Sequence, residues 1–107
     1  MAKIVWHEQA LAQAHQIYDW YYENASPKVA AKLLQDIIEA PEILITAPEC
    51  GALEPIFIDS GIPFRYLVVR KTWKVIYLYE NDTCYISIIW DTRNNPHKLR
   101  SLGPQTK

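Results

Sequence analysis

The chain has little of what the most recognisable functional sites are made from. Its three glycines, Gly51, Gly61 and Gly103, stand singly. A phosphate-cradling loop needs several within a few positions, so P-loop and dinucleotide-binding chemistry is excluded. The two cysteines, Cys50 and Cys84, lie far apart with no Cys or His partner at zinc-ligand spacing, and they read as free, partly buried thiols. His7, His15 and His97 are equally scattered, so no metal and no cofactor is expected. There is no nucleophile elbow and no ordered Ser-His-Asp set. No apolar run is long enough to span a bilayer, and the first residues, Met1 to His7, lack a signal-peptide core. A cytoplasmic protein without membrane contact is the expectation.

Hydrophobic residues, in contrast, make up half of the 107 positions. That is enough for one domain to close a core without a disulfide or a metal. Charge is unevenly distributed beneath a net −1. Residues 1–64 carry three cations against nine anions, and residues 65–107 carry eight cations against three anions. A basic half of this kind faces either a polyanion or the acidic half of its own fold.

Lys3-Ile4-Val5-Trp6 reads as a short first strand. A helix is predicted from Glu8 to Glu23, with Leu11, Ala14, Tyr18 and Tyr21 at helical spacing and Ala10, Ile17 and Trp20 widening the stripe toward a core. Asn24-Ala25-Ser26-Pro27 breaks it. Ser26 suits an N-cap and Pro27 the first helical position of a second helix, whose apolar face is Val29, Ala30, Leu33, Leu34, Ile37 and Ile38. Pro41 ends or kinks that helix, and so short a break makes the pair an antiparallel hairpin.

Loop signals follow, with a short edge strand at Pro55-Ile56-Phe57-Ile58 and a turn at Ser60-Gly61. Three strands come next: Phe64 to Arg70, Trp73 to Tyr79 and Cys84 to Trp90. Their hairpin-sized connections predict an antiparallel meander. The class is α+β, with one domain over residues 1–102 and a flexible tail over 103–107. One face of the sheet takes the helical hairpin. The other is half solvated and open to a partner, and the chain after Pro96 reads as a basic tail.

The last strand changes character abruptly: Ile88-Ile89-Trp90 gives way to Asp91-Thr92-Arg93-Asn94-Asn95-Pro96. Meander topology groups Arg93 with Arg70, Lys71 and Lys74 as a nucleic-acid-binding set. It puts Arg65 at the opposite end of the sheet, about 20 Å away. RNA cleavage needs a base for the 2′-OH, an acid for the 5′-oxygen and cations on the phosphorane. Arginines supply the last; His97, Tyr66 and Lys74 are candidates for the others. Arg93 paired simply with Asp91 or with solvent is the alternative.

The order of strand, helical hairpin and meander resembles the RelE/ParE superfamily of toxins from type II toxin–antitoxin pairs. The resemblance runs from Ile4 to about Leu102. It is carried by Ser26-Pro27-Lys28-Val29-Ala30, Pro48-Glu49-Cys50-Gly51, Phe64-Arg65-Tyr66-Leu67-Val68, Lys74-Val75-Ile76-Tyr77 and the segment from Asp91 to Pro96. Similarity to the RelE branch implies ribosome-dependent mRNA cleavage without a metal, with Arg65 and Arg93 catalytic and His97 as acid or base. The slightly acidic charge departs from that branch, as does the presence of Leu99 where a late tyrosine is expected. Similarity to the ParE branch implies inhibition of DNA gyrase without a nuclease site. A third reading is a module that keeps only its antitoxin interface. Every reading implies a cognate antitoxin, which would cover an apolar groove with a helix or strand. The rings of Trp20, Tyr21, Tyr22, Trp73 and Tyr85 are candidates to line that groove. The remaining partners are the ribosome and mRNA, or DNA gyrase.

Overall fold

The computed structural model describes residues 1–102; the tail expected over 103–107 lies outside the described residues. Strand β1 (Lys3–Trp6) leads into helix α1 (Glu8–Asn24) and helix α2 (Pro27–Glu39). A 3₁₀ segment (Ala40–Ile45), the two-residue strand β2 (Ala52–Leu53) and a second 3₁₀ segment (Pro55–Ser60) follow. Strands β3 (Arg65–Val69), β4 (Trp73–Glu80) and β5 (Thr83–Asp91) then form the meander, and a short helix α3 (Pro96–Ser101) closes the described chain. The sheet order is β1-β5-β4-β3-β2. β1 runs parallel to β5, which the crossover through the helical hairpin permits, and the other neighbours are antiparallel. The α+β architecture expected from the sequence is the one observed.

Local chemistry sets the helix ends. The Ser26 side chain accepts the Val29 N–H at 3.1 Å and Pro27 takes the first helical position. Pro41 has no N–H to give to the α-helical ladder, and α2 tightens into the 3₁₀ segment just before it. Both meander turns use left-handed backbone at two successive residues, Arg70 and Lys71 in one and Asn81 and Asp82 in the other. This is the twist that two-residue hairpins favour.

Two apolar clusters sandwich the sheet. On the helical side Ala10, Leu33, Ile37 and Leu44 pack against Val75, Tyr77, Cys84, Ile86 and Ile89. On the other side Phe57, Phe64 and Leu99 pack against Ile76, Leu78 and Ile88. A bulge makes this division possible. Ile76 pairs with Ile88 but Tyr77 pairs with Ile86, so Ser87 is an extra residue and the facing of β5 reverses there.

Four expectations need correction. The second sheet face is not open: the Pro55–Ser60 segment and α3 cover it. Residues 96–101 are not a tail, because they form α3 and bury Leu99 to 1% exposure. Pro55 to Ile58 is 3₁₀, not strand, since Pro55 cannot donate to a ladder; the edge strand is Ala52–Leu53. Finally, the buried stripe of α1 is narrower than periodicity suggests. Ala10 and Ala14 are buried while Leu11 and Trp20 are exposed, because the alanines let α1 approach β5 and α2 closely.

Candidate functional site

β5 ends by delivering Asp91 to the helical side of the sheet, opposite Trp73. The Asp91 carboxylate accepts the Arg93 Nε–H at 3.0 Å, an Nη2–H at 2.8 Å and the Arg93 backbone N–H at 2.9 Å. Three bonds from one residue two positions away fix the arginine by local geometry. Its guanidinium lies 5.8 Å from the Trp73 ring centre. The hydrogen bonds from Arg93 hold the Asp91 carboxyl below the usual carboxylate range, and the same pairing, supplemented by Tyr21, pushes the arginine higher still. The cation is therefore permanent, and its side chain remains 65% exposed.

Beside Arg93 a groove of about 440 Å³ runs between α1 and the end of β5, with Gln13, Ile17, Trp20, Tyr21 and Trp73 on its walls. Trp20 meets Tyr21 edge-on at 4.9 Å and Tyr21 meets Trp73 edge-on at 6.5 Å. Trp20 is 58% exposed. An exposed Trp20 and a half-buried Tyr21, backed by the buried Trp73 and set beside a fixed arginine, are the composition of a protein-recognition surface.

The other site residues read from the sequence lie elsewhere. Arg65 is on the same sheet face as Arg93 but four ladder positions away, about 13 Å along the strands. Its Nη1 donates to the Gly51 carbonyl at 2.7 Å and the Glu49 carbonyl at 3.2 Å, and its Nη2 lies 3.7 Å from the Glu49 carboxylate. Arg70 is bound to Asp36 of α2 at 2.7 and 2.8 Å, and its hydrogen bonds, with those of Lys32, lower the Asp36 carboxyl. Lys71 is exposed in the hairpin turn. Lys74 points to the opposite face, 2.8 Å from the buried Glu54 carboxylate and 4.2 Å from the Tyr66 ring centre. His97 is exposed in the first turn of α3, its backbone N–H bound to the Asn95 side chain. Arg93 is thus the one member of the proposed set that lines the groove. The charge asymmetry is largely answered inside the fold: Arg65–Glu49, Arg70–Asp36, Lys74–Glu54 and Arg100–Asp59 each join the basic half to the acidic one.

Two contributors escaped the sequence reading. Gln13 of α1 bonds through its Oε1 to the Ile89 N–H at 2.7 Å and lines the groove. Its signal is the helical spacing of Gln9, Gln13 and Gln16, a polar row that apolar periodicity passes over. Tyr77 joins the core to the segment before β2 through its hydroxyl, and no local pattern marks it. Among the described residues no helix is long and apolar enough to cross a membrane.

The family model for the ParE toxin of the type II toxin–antitoxin system parDE matches residues 4–96. No curated protein matches the chain in sequence. Ten chains of solved structures are similar to it. One, described as the chromosomal ParDE TA system from P. aeruginosa, is 27% identical with a TM-score of 0.70, over 85% of this chain and 96% of that one.

Proposed function

The chain belongs to the ParE toxin family of type II toxin–antitoxin systems, and from that premise we propose that it arrests growth by binding DNA gyrase through the Arg93 groove rather than by cutting RNA. An antitoxin from the same pair neutralises it. The observation that carries this reading is the separation of the two arginines a nuclease would need on one phosphate. Arg65 is committed to the carbonyls of Glu49 and Gly51, while Arg93 is fixed on Asp91 at the far end of the sheet. Transition-state stabilisation requires donors converging within hydrogen-bond distance of one developing charge, and these two do not converge. His97, the candidate acid or base, sits on α3 with its side chain in solvent.

The aromatic lining of the groove, with Arg93 its one cation among the described residues, instead suits a protein surface. A polyanion would need several phosphate contacts. Purified toxin added to gyrase and relaxed plasmid should abolish supercoiling, and Arg93→Ala should raise the concentration required by about tenfold or more. The same toxin added to programmed ribosomes should leave the mRNA intact. Ribosome-dependent cleavage with unimpaired supercoiling would restore the nuclease reading. Unimpaired growth on expression without the antitoxin would leave only an antitoxin-binding module.

A further inference from the structure

On the side of the sheet away from the helical hairpin lies a second cavity, of about 210 Å³, between β2 and the turn that leads into β3. Leu53, Ile58, Ile62, Pro63 and Phe64 give it apolar walls, and Glu54 is the one charged residue among the described residues that line it. Leu53 and Ile58 are its wet edge, 49% and 62% exposed, whereas Glu54 is only 4% exposed. A carboxylate set against apolar walls is costly unless its oxygens find partners. The Glu54 Oε2 has one: the Lys74 Nζ at 2.8 Å, whose charge also sits 4.2 Å from the Tyr66 ring centre. The Oε1 is less well served. Among the described residues it accepts the Ile56 N–H alone, at 3.5 Å, longer than an ordinary N–H···O bond. A carboxylate oxygen has two lone pairs, so Oε1 keeps acceptor capacity beside an apolar cavity.

These features select the chemistry of a ligand. Lys74 already offsets the Glu54 charge, so an entering cation gains little net attraction and an entering anion meets the carboxylate. A neutral molecule is favoured. One under-used acceptor asks for one donor, and the remaining walls ask for apolar surface. Pro63 and Phe64 present flat faces that suit a ring. The cavity has less than half the volume of the groove beside Arg93, which is room for a small ring system rather than for a length of main chain.

We infer that this cavity is a binding site for a free, neutral, flat aromatic molecule with a single N–H or O–H donor, of the indole or phenol class, and that the Glu54 Oε1 is its acceptor. Lys74 is the positioning residue that holds the carboxylate. The site lies across the sheet from Arg93, so it depends neither on the toxin's target nor on its antitoxin.

The test is a titration of isotope-labelled full-length toxin with indole, followed by amide and methyl resonances. The Ile58 and Ile62 methyls and the Leu53 amide should shift saturably. 1-Methylindole keeps the ring and loses the donor, and it should bind wild-type protein about tenfold more weakly. Glu54→Gln should narrow that gap to about threefold, because an amide oxygen is a weaker acceptor than a carboxylate. Tryptamine and indole-3-acetate, which add a cation and an anion, should both bind more weakly than indole. Absence of saturable shifts at Ile58 and Ile62 would overturn the site with wild-type protein alone. Shifts confined to the Trp20 and Trp73 indoles would place the ring in the Arg93 groove and overturn it equally. Equal binding of 1-methylindole would overturn Glu54 as the acceptor, again without a variant. Tighter binding of tryptamine would overturn the neutral ligand. Tighter binding of N-acetyltryptophanamide than of indole would assign the cavity to a tryptophan side chain of a partner protein instead. Gyrase supercoiling, measured separately, tests the target and leaves these outcomes untouched.

Discussion

The Tyr77 hydroxyl accepts the Gly51 N–H at 3.0 Å, and its ring fills the space beside residue 51 so closely that a Cβ there would lie 2.7 Å from the hydroxyl oxygen. The same hydroxyl donates to the Pro48 carbonyl at 2.8 Å, and Arg65 holds the Gly51 carbonyl. The segment joining the helical hairpin to β2 is therefore fixed to the sheet by one phenol and one guanidinium. This gives Arg65 a structural occupation independent of any substrate.

Tyr77→Phe should destabilise the protein by about 2 kcal/mol, because it leaves an N–H and a carbonyl in that segment without their partner. Urea unfolding measures this. Burial pushes the Tyr77 phenol up to about 12. A group whose folded value is raised contributes stability that is complete below its unfolded value, near 10, and is lost as pH rises toward 12. Ultraviolet titration of the seven tyrosines should find Tyr77 ionising well above the ordinary range, with Tyr79, hydrogen-bonded to Asp82, also raised, and unfolding accelerating in that window. Ordinary ionisation of all seven would contradict the buried hydroxyl.

Asp91 gives the opposite pH dependence. Its folded value lies below the ordinary 3.8 because Arg93 hydrogen-bonds it. The contribution is fully present above about pH 5 and fades as pH falls through 3.8 toward the lower folded value. Asp91→Asn should lower the melting temperature at neutral pH, and the gap to wild type should close below about pH 4. A constant gap across that range would show that the carboxylate charge is not what holds Arg93.

Leu99 is the chief anchor of α3, at 1% exposure against the far face of the sheet. Leu99→Ala should cost about 2–4 kcal/mol. It should also release α3 from Ile76, Leu78 and Ile88, measurable as increased binding of a hydrophobic dye with little loss of far-ultraviolet circular dichroism. A cost under about 0.5 kcal/mol would place α3 outside the cooperative core.

Lys71 has φ 61 beside Arg70 at φ 53. L-residues with a Cβ pay for that conformation by about 1 kcal/mol, whereas glycine adopts it freely but loses more entropy on folding. Lys71→Gly should therefore raise stability by about 0.5 kcal/mol, seen as a higher urea midpoint at unchanged slope. A lowered midpoint would show that the lysine side chain supports the turn.

Several features were legible because their causes are local. Ser26-Pro27 starts α2 through a cap three residues long. Pro41 ends it, and apolar runs separated by hairpin-sized breaks define β3, β4 and β5 with boundaries close to those observed. Membership in the toxin superfamily was also readable, since it rests on the order of such elements. Asp91 and Arg93 lie two residues apart, so their pairing is local too.

What the sequence by itself determined, then, is what a few neighbouring residues can enforce: caps, breaks and apolar strand runs, with the Asp91–Arg93 clasp standing in it as an alternative. Only the tertiary structure decided which charges remain available and which faces remain open. Arg65, Arg70 and Lys74 meet Glu49, Asp36 and Glu54 across spans that no window contains. Leu99 returns to cover the sheet because six residues after Asn95 suffice for a short helix with one buried anchor. Long-range burial and charge pairing are settled by chain topology, so one arginine of the basic half was left at a groove and the others were folded into the scaffold or left exposed on the surface.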